Sequence, residues 1–215
     1  ALIAADKSFA AGAPALIAPR KRDEAGFVAA RRAITRPSAD RPAGTAQAWR
    51  AAGAPLINAA IGKSTMLNAD LGGIDAYIDQ LLKVKAIAWS IRNSAGRDRF
   101  ALAALLGRGD TLSEEQRRRF VEAKISTTNP WNVIEADAAL PDFPPALAAT
   151  VNEARTAYFT QSHQLRDTIL VALEDGRPSP LSAAEWFNRS VPGIVAITNV
   201  YRTAFDLAKD HIRAQ

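Results

Sequence analysis

Phe187, Val191, Ile194, Thr198, Tyr201, Phe205, Ala208 and Ile212 recur at alternating spacings of four and three. No other feature of the chain narrows its fold as far. An apolar repeat of about 3.5 residues, held over this length, is a seam: it predicts a helix packed lengthwise against its neighbours in a left-handed bundle. The start of that helix is also written in the sequence. Ser182 and Glu185 form an S-x-x-E capping box directly after Pro178-Ser179-Pro180, and such a box satisfies backbone donors that the first turn leaves open. Pro192 lies inside the pattern and predicts a kink or a fresh helix start.

The middle of the chain repeats the logic. Ile74, Ile78, Leu81, Val84, Ala88, Ile91, Ala95, Leu102 and Leu105 fall mostly on one face, predicting a helix over 74–106 that reaches about 45 Å. Gly107-Arg108-Gly109-Asp110 ends it, and Ser113 with Gln116 opens the next, over 113–139. A further helix is expected over 145–174, with Leu147, Val151, Ala154, Tyr158, Leu165 and Ile169 inward and Gly176 beyond its end. These four form an antiparallel bundle. Residues 1–70 are interrupted by Pro14, Pro19, Pro37, Pro42 and Pro55 and predict broken helices near 2–35 and 45–70, with a loop over 36–45. No segment alternates at period two, so the fold class is all-α: an elongated antiparallel bundle of about six helices in two stacked modules.

Composition agrees. At 215 residues and 48% hydrophobic, the chain can fill a continuous core. The net charge of +5 comes from scattered residues; its longest basic runs are Arg20-Lys21-Arg22 and Arg117-Arg118-Arg119, the latter behind Glu114 and Glu115, which argues against a nucleic-acid partner. The absence of cysteine excludes disulfides, thiol nucleophiles and cysteine-ligated metals. No apolar run approaches the roughly 20 residues of a membrane span. The opening at Ala1 suggests an excised fragment.

Catalytic and cofactor motifs are weak. Gly62-Lys63-Ser64-Thr65 imitates the end of a phosphate-binding loop, but Ile57 stands where its first glycine belongs. His163 and His211 are far apart, outside any spacing that would set two ligands on one helix face, and His163 is expected at a surface or interface. No nucleophile triad or carboxylate pair can be argued, so no catalytic residue, metal or cofactor is expected.

One stretch differs. Residues 85–99 gather Trp89, Arg92, Asn93, Gly96, Arg97 and Arg99 within three turns of a core helix. Guanidinium groups on a bundle wall grip carboxylates or phosphates bidentately, and a nearby indole adds cation–π contact. Trp89, Arg92, Asn93 and Arg97 are therefore the candidate ligand-binding residues, for a small anion. The competing reading is that the arginines pair with carboxylates on neighbouring helices or stand in solvent.

With that stretch in place, 74–212 resembles the all-helical extracytoplasmic sensor regions of bacterial chemoreceptors, sensor histidine kinases and related receptors. The residues carrying the resemblance are Ala88-Trp89-Ser90-Ile91-Arg92 with Ala95-Gly96-Arg97, Gly107-Arg108-Gly109, Trp131, Tyr158-Phe159, Leu165-Arg166, Ala172-Leu173 before Gly176, and Ser182 through Glu185-Trp186. It implies a periplasmic location, membrane helices flanking Ala1 and Gln215, and a homodimeric parent with a separate cytoplasmic output module, of kinase, methyl-accepting or cyclic-dinucleotide type. The signal would arrive as a small anion or through a periplasmic binding protein, and the last helix would be the output lever. A structural or protein-binding bundle and a cofactor-binding bundle are the alternatives.

Overall fold

The computed structural model describes residues 44–73, 75–109 and 111–215, together with Glu24, Val28 and Arg32. All regular structure among the described residues is helical. The chain divides into two compact units, Ala1–Asp79 and Gln80–Gln215. In the first, α1 (Thr45–Leu71) runs unbroken through Pro55, where the sequence predicts a break. A proline removes a single backbone donor, and here the flanking turns hold the helix together across the gap. Of the expected loop over 36–45, Gly44 is a turn and Thr45 already opens α1; residues 36–43 and the broken helices near 2–35 lie outside the described residues, apart from Glu24, Val28 and Arg32, which are helical. Gly62-Lys63-Ser64-Thr65 sits within α1, where Thr65 Oγ1 donates to the Ile61 carbonyl at 3.1 Å. Helical amides are already engaged, so this stretch cannot form a phosphate cradle.

Asp75 caps α2 (Ala76–Arg108), its Oδ1 accepting from the amides of Tyr77 at 2.8 Å and Ile78 at 3.3 Å. The second unit continues with α3 (Glu114–Ala138), α4 (Pro145–Ala154), a π-helical segment π1 (Arg155–Ser162), α5 (His163–Glu174), α6 (Ala183–Arg189) and α7 (Val191–Ala214). Both expected capping boxes form, Ser113 with Gln116 and Ser182 with Glu185. Gly109 and Gly176 follow the helices they end with φ of 68° and 67°, a conformation that costs glycine little.

Cross-helix contacts fix the directions. Lys83 near the start of α2 pairs with Asp137 at the end of α3 at 2.9 Å, while Leu105 at the far end clusters with Phe120. Arg155 meets Glu135 and Asp167 meets Lys124, so the α4–π1–α5 rod is antiparallel to α3. Trp89 touches Tyr201 and Arg99 touches Ser190, so α7 is antiparallel to α2. The α2 stripe is buried as expected at Ile78, Leu81, Val84, Ala88, Ile91, Ala95, Leu102 and Leu105.

On α7 the buried face is displaced from the expected seam. Of the seam residues Val191 and Phe205 are exposed, Ile194, Thr198, Tyr201 and Ile212 are half-buried, and Ala208 is buried. The face turned inward is Gly193, Ala196, Ile197, Val200, Ala204 and Ala208. Two overlapping series share α7, and the inward one combines Ile197 and Val200 with the small residues Gly193, Ala196, Ala204 and Ala208. That series takes the interior because its small residues let the backbone approach closely while Ile197 and Val200 fill the core between them.

Candidate functional site in and around the π-helical segment

Ala154, Tyr158, Ser162, Arg166 and Leu170 are all buried, and each lies four residues after the last. In a regular α-helix that spacing drifts about 40° per step, so the series would wind out of the core within a few turns. The wider turn of π1 cancels the drift. Its side chains support the wider spacing: Thr160 Oγ1 donates to the Arg155 carbonyl at 3.2 Å, and Ser162 Oγ to the Ala157 carbonyl at 2.9 Å, both five residues back. Single-turn π insertions of this kind concentrate at functional sites.

On its inner side π1 abuts α7 at Gly193. A Cβ added there would overlap Ser162 Oγ and come within 3.1 Å of the Ala157 carbonyl oxygen and 3.2 Å of Tyr158 Cα. Only a glycine admits this approach.

Beside the contact, Arg166 and Asp98 form an ion pair with side chains only 5% and 7% exposed. Arg166 Nε and Nη2 donate to Oδ2 and Oδ1 at 2.7 and 3.0 Å, and Nη2 also donates to the Phe120 carbonyl at 2.5 Å. Burial alone would lower the pKa of Arg166; the paired Asp98 outweighs it, and the net shift is upward. Tyr158 is pushed upward too, chiefly by burial and then by the Asp98 charge, so it stays a neutral phenol.

On its outer side π1 faces α3. Phe159 stacks on Trp131 with ring centroids 4.4 Å apart and planes at 21°, and Tyr158 and Phe159 present their rings to His163 at 4.8 and 5.4 Å. His163, expected at a surface or interface, is 8% exposed and sits between π1–α5 and α3. The π turn rotates it inward. Burial, and then the Lys124 and Arg166 charges, lower its pKa to about 4 against the opposing pull of Asp167, so it is neutral near pH 7. Trp131, Phe159 and His163 line a groove of about 970 Å³ between α3 and π1–α5, with Lys124, Asp167 and Arg177 among its other walls.

The residues expected from sequence lie elsewhere, on α2. Trp89 packs edge-on against Tyr201, with centroids 5.5 Å apart, and the Arg92 guanidinium lies 5.8 Å from the Trp89 ring. Asn93 is half-buried, and Arg97 is exposed, with Nη2 3.5 Å from Ser94 Oγ. The fold thus joins Trp89 with Arg92 and turns Arg97 about 140° away around the helix. Among the described residues neither Arg92 nor Arg97 has a carboxylate partner.

Arg99 has a distinct structural task. Its Nε donates to Ser190 Oγ at 2.8 Å and Nη2 to the Phe187 carbonyl at 2.5 Å, with the guanidinium 3.6 Å from the Phe187 ring, so it caps the end of α6 at the junction with α7. Asp98 escaped the sequence reading, although its position was a signal. It stands between Ala95 and Leu102, where it completes the buried stripe of α2 and where a carboxylate demands a partner.

Comparison with known proteins finds no matching family model, no similar curated protein and no similar solved structure.

Proposed function

We propose that this chain is the extracytoplasmic signal-sensing bundle of a transmembrane receptor, in which a shift of α7 carries the signal toward the membrane. The observation that supports it most is the seat of α7 on π1: a close backbone approach at Gly193, set against a helical turn whose hydrogen bonding is already irregular. Packed helices of this kind have discrete arrangements, and a ligand preferring one arrangement shifts the population. The resemblance of 74–212 to receptor sensor regions supplies the periplasmic setting, the flanking membrane helices and the homodimeric parent.

The coding sequence on either side of residues 1–215 tests the reading first. Membrane helices on both flanks and an output module beyond one of them are expected; flanks without either would overturn it. The cysteine-free sequence then permits a clean second test, an engineered cysteine pair joining α2 to α7 near Trp89 and Tyr201. Cross-linking should lock the full-length receptor in one output state.

A second reading, a protein-binding bundle, draws on Val121 and Ile125, two exposed apolar side chains one turn apart on α3. Flanks lacking membrane helices would favour it.

A further inference from the structure

The groove between α3 and π1–α5 is built unlike the arginine-bearing face of α2. Its floor is aromatic, with Trp131 and Phe159 stacked and His163 edge-on beside them. Its charges are all matched within the protein: Lys124 with Asp167 at 2.7 Å, Glu135 with Arg155 at 2.6 Å, and Arg177 with Asp175 at 2.8 Å. The rest of its polar lining is uncharged, from Thr128, Asn132, Thr160, Gln164 and Thr168. His163 adds a neutral ring with one donor and one acceptor nitrogen.

One polar atom is left over. The indole N–H of Trp131, a residue 2% exposed, is buried without a hydrogen-bond acceptor. Sealed from solvent, that donor is out of a ligand's reach, and it reports on the groove floor from behind. An ionic ligand entering here would find no uncompensated countercharge and would forfeit its own hydration. An uncharged aromatic ring would lie against Phe159 and His163.

We infer that this groove binds a small uncharged aromatic molecule, held against Phe159 and His163, with the buried Trp131 ring directly behind Phe159 as its reporter. The assignment rests on the sensing reading only for its purpose; binding is measured on the chain itself, whereas that reading stands or falls on the flanking sequence. The groove shares π1 with α7, so a ligand against Phe159 touches the turn whose other side sets Ser162 against Gly193 of α7.

The experiment is a titration of the nitrogen-15-labelled chain, following its four tryptophan indole N–H signals, with Trp131→Phe assigning the one from the groove. The probes are benzamide, benzoate, benzylamine and acetamide. Benzamide should move the Trp131 signal saturably, with the charged and the non-aromatic probes at least about tenfold weaker. Thr128→Phe, which fills the groove from its wall, should abolish the response while the indole signals remain dispersed as in a folded protein. A Trp131 signal that no probe moves would overturn the inference. So would benzoate binding as tightly as benzamide, or a response confined to Trp89, which would put the ligand beside Arg92.

Discussion

Arg166 grips Asp98 with two parallel hydrogen bonds, Nε to Oδ2 and Nη2 to Oδ1, in the interior between α5 and α2. A pair so placed cannot lose one member cheaply, because the survivor keeps its charge and loses its solvation. Arg166→Met or Asp98→Leu alone should each destabilise the chain by about 3–5 kcal/mol, and the double variant by clearly less than the sum. Urea unfolding of the four proteins measures this. Additive losses would mean that the two side chains act independently.

Gly193→Ala should destabilise by about 1–3 kcal/mol, the usual range for overpacking, since the new methyl collides with Ser162 and the π1 backbone. Ser162→Ala removes the worst overlap, while the new methyl still presses on the Ala157 carbonyl oxygen and the backbone of Tyr158. The double variant should therefore recover part of the loss. A fully tolerated Gly193→Ala, judged by thermal unfolding, would show that α7 does not sit on π1 this closely.

His163 makes stability depend on pH. Above its unfolded value of 6.5 the ring is neutral in both states and contributes nothing. As pH falls through 6.5 the unfolded chain takes up a proton that the folded chain refuses until about pH 4, so stability drops across that window and the loss levels off below it. Relative to His163→Gln, the native chain should lose about 2–3 kcal/mol between pH 7 and pH 4. Parallel pH profiles for the two proteins would refute this burial of a neutral ring.

Arg99→Lys keeps the charge and loses the planar fork that reaches Ser190 and the Phe187 carbonyl together. A loss of about 1–2 kcal/mol is expected, close to that of Arg99→Met. Full retention of stability in the lysine variant, measured by denaturant unfolding, would show that charge alone holds the α6–α7 junction.

The capping boxes at Ser113 and Ser182 offer a control from local structure. Ser113→Ala and Ser182→Ala should each cost about 0.5–2 kcal/mol, independently of the core variants. Thermal unfolding of each variant, alone and combined with Gly193→Ala, checks that independence.

Much of 75–215 was legible in the sequence residue by residue: the capping boxes at Ser113 and Ser182, the glycines at 109 and 176 that follow helix ends, and the buried stripe of α2. These are local properties, set by backbone donors within one turn and by which residues recur on a single face. Tertiary structure decided what each face meets. The inward face of α7 turned out to run through Gly193, Ile197, Val200 and Ala204 and not through the seam, because closeness to π1 is a property of two helices and not of one. The π1 turn exists because Ala154, Tyr158, Ser162, Arg166 and Leu170 must all reach one core, and that demand rotated His163 inward and brought Arg166 to Asp98. Neither residue of the pair is informative alone, since nothing local tells an arginine which carboxylate, 68 positions away, the fold will bring to it.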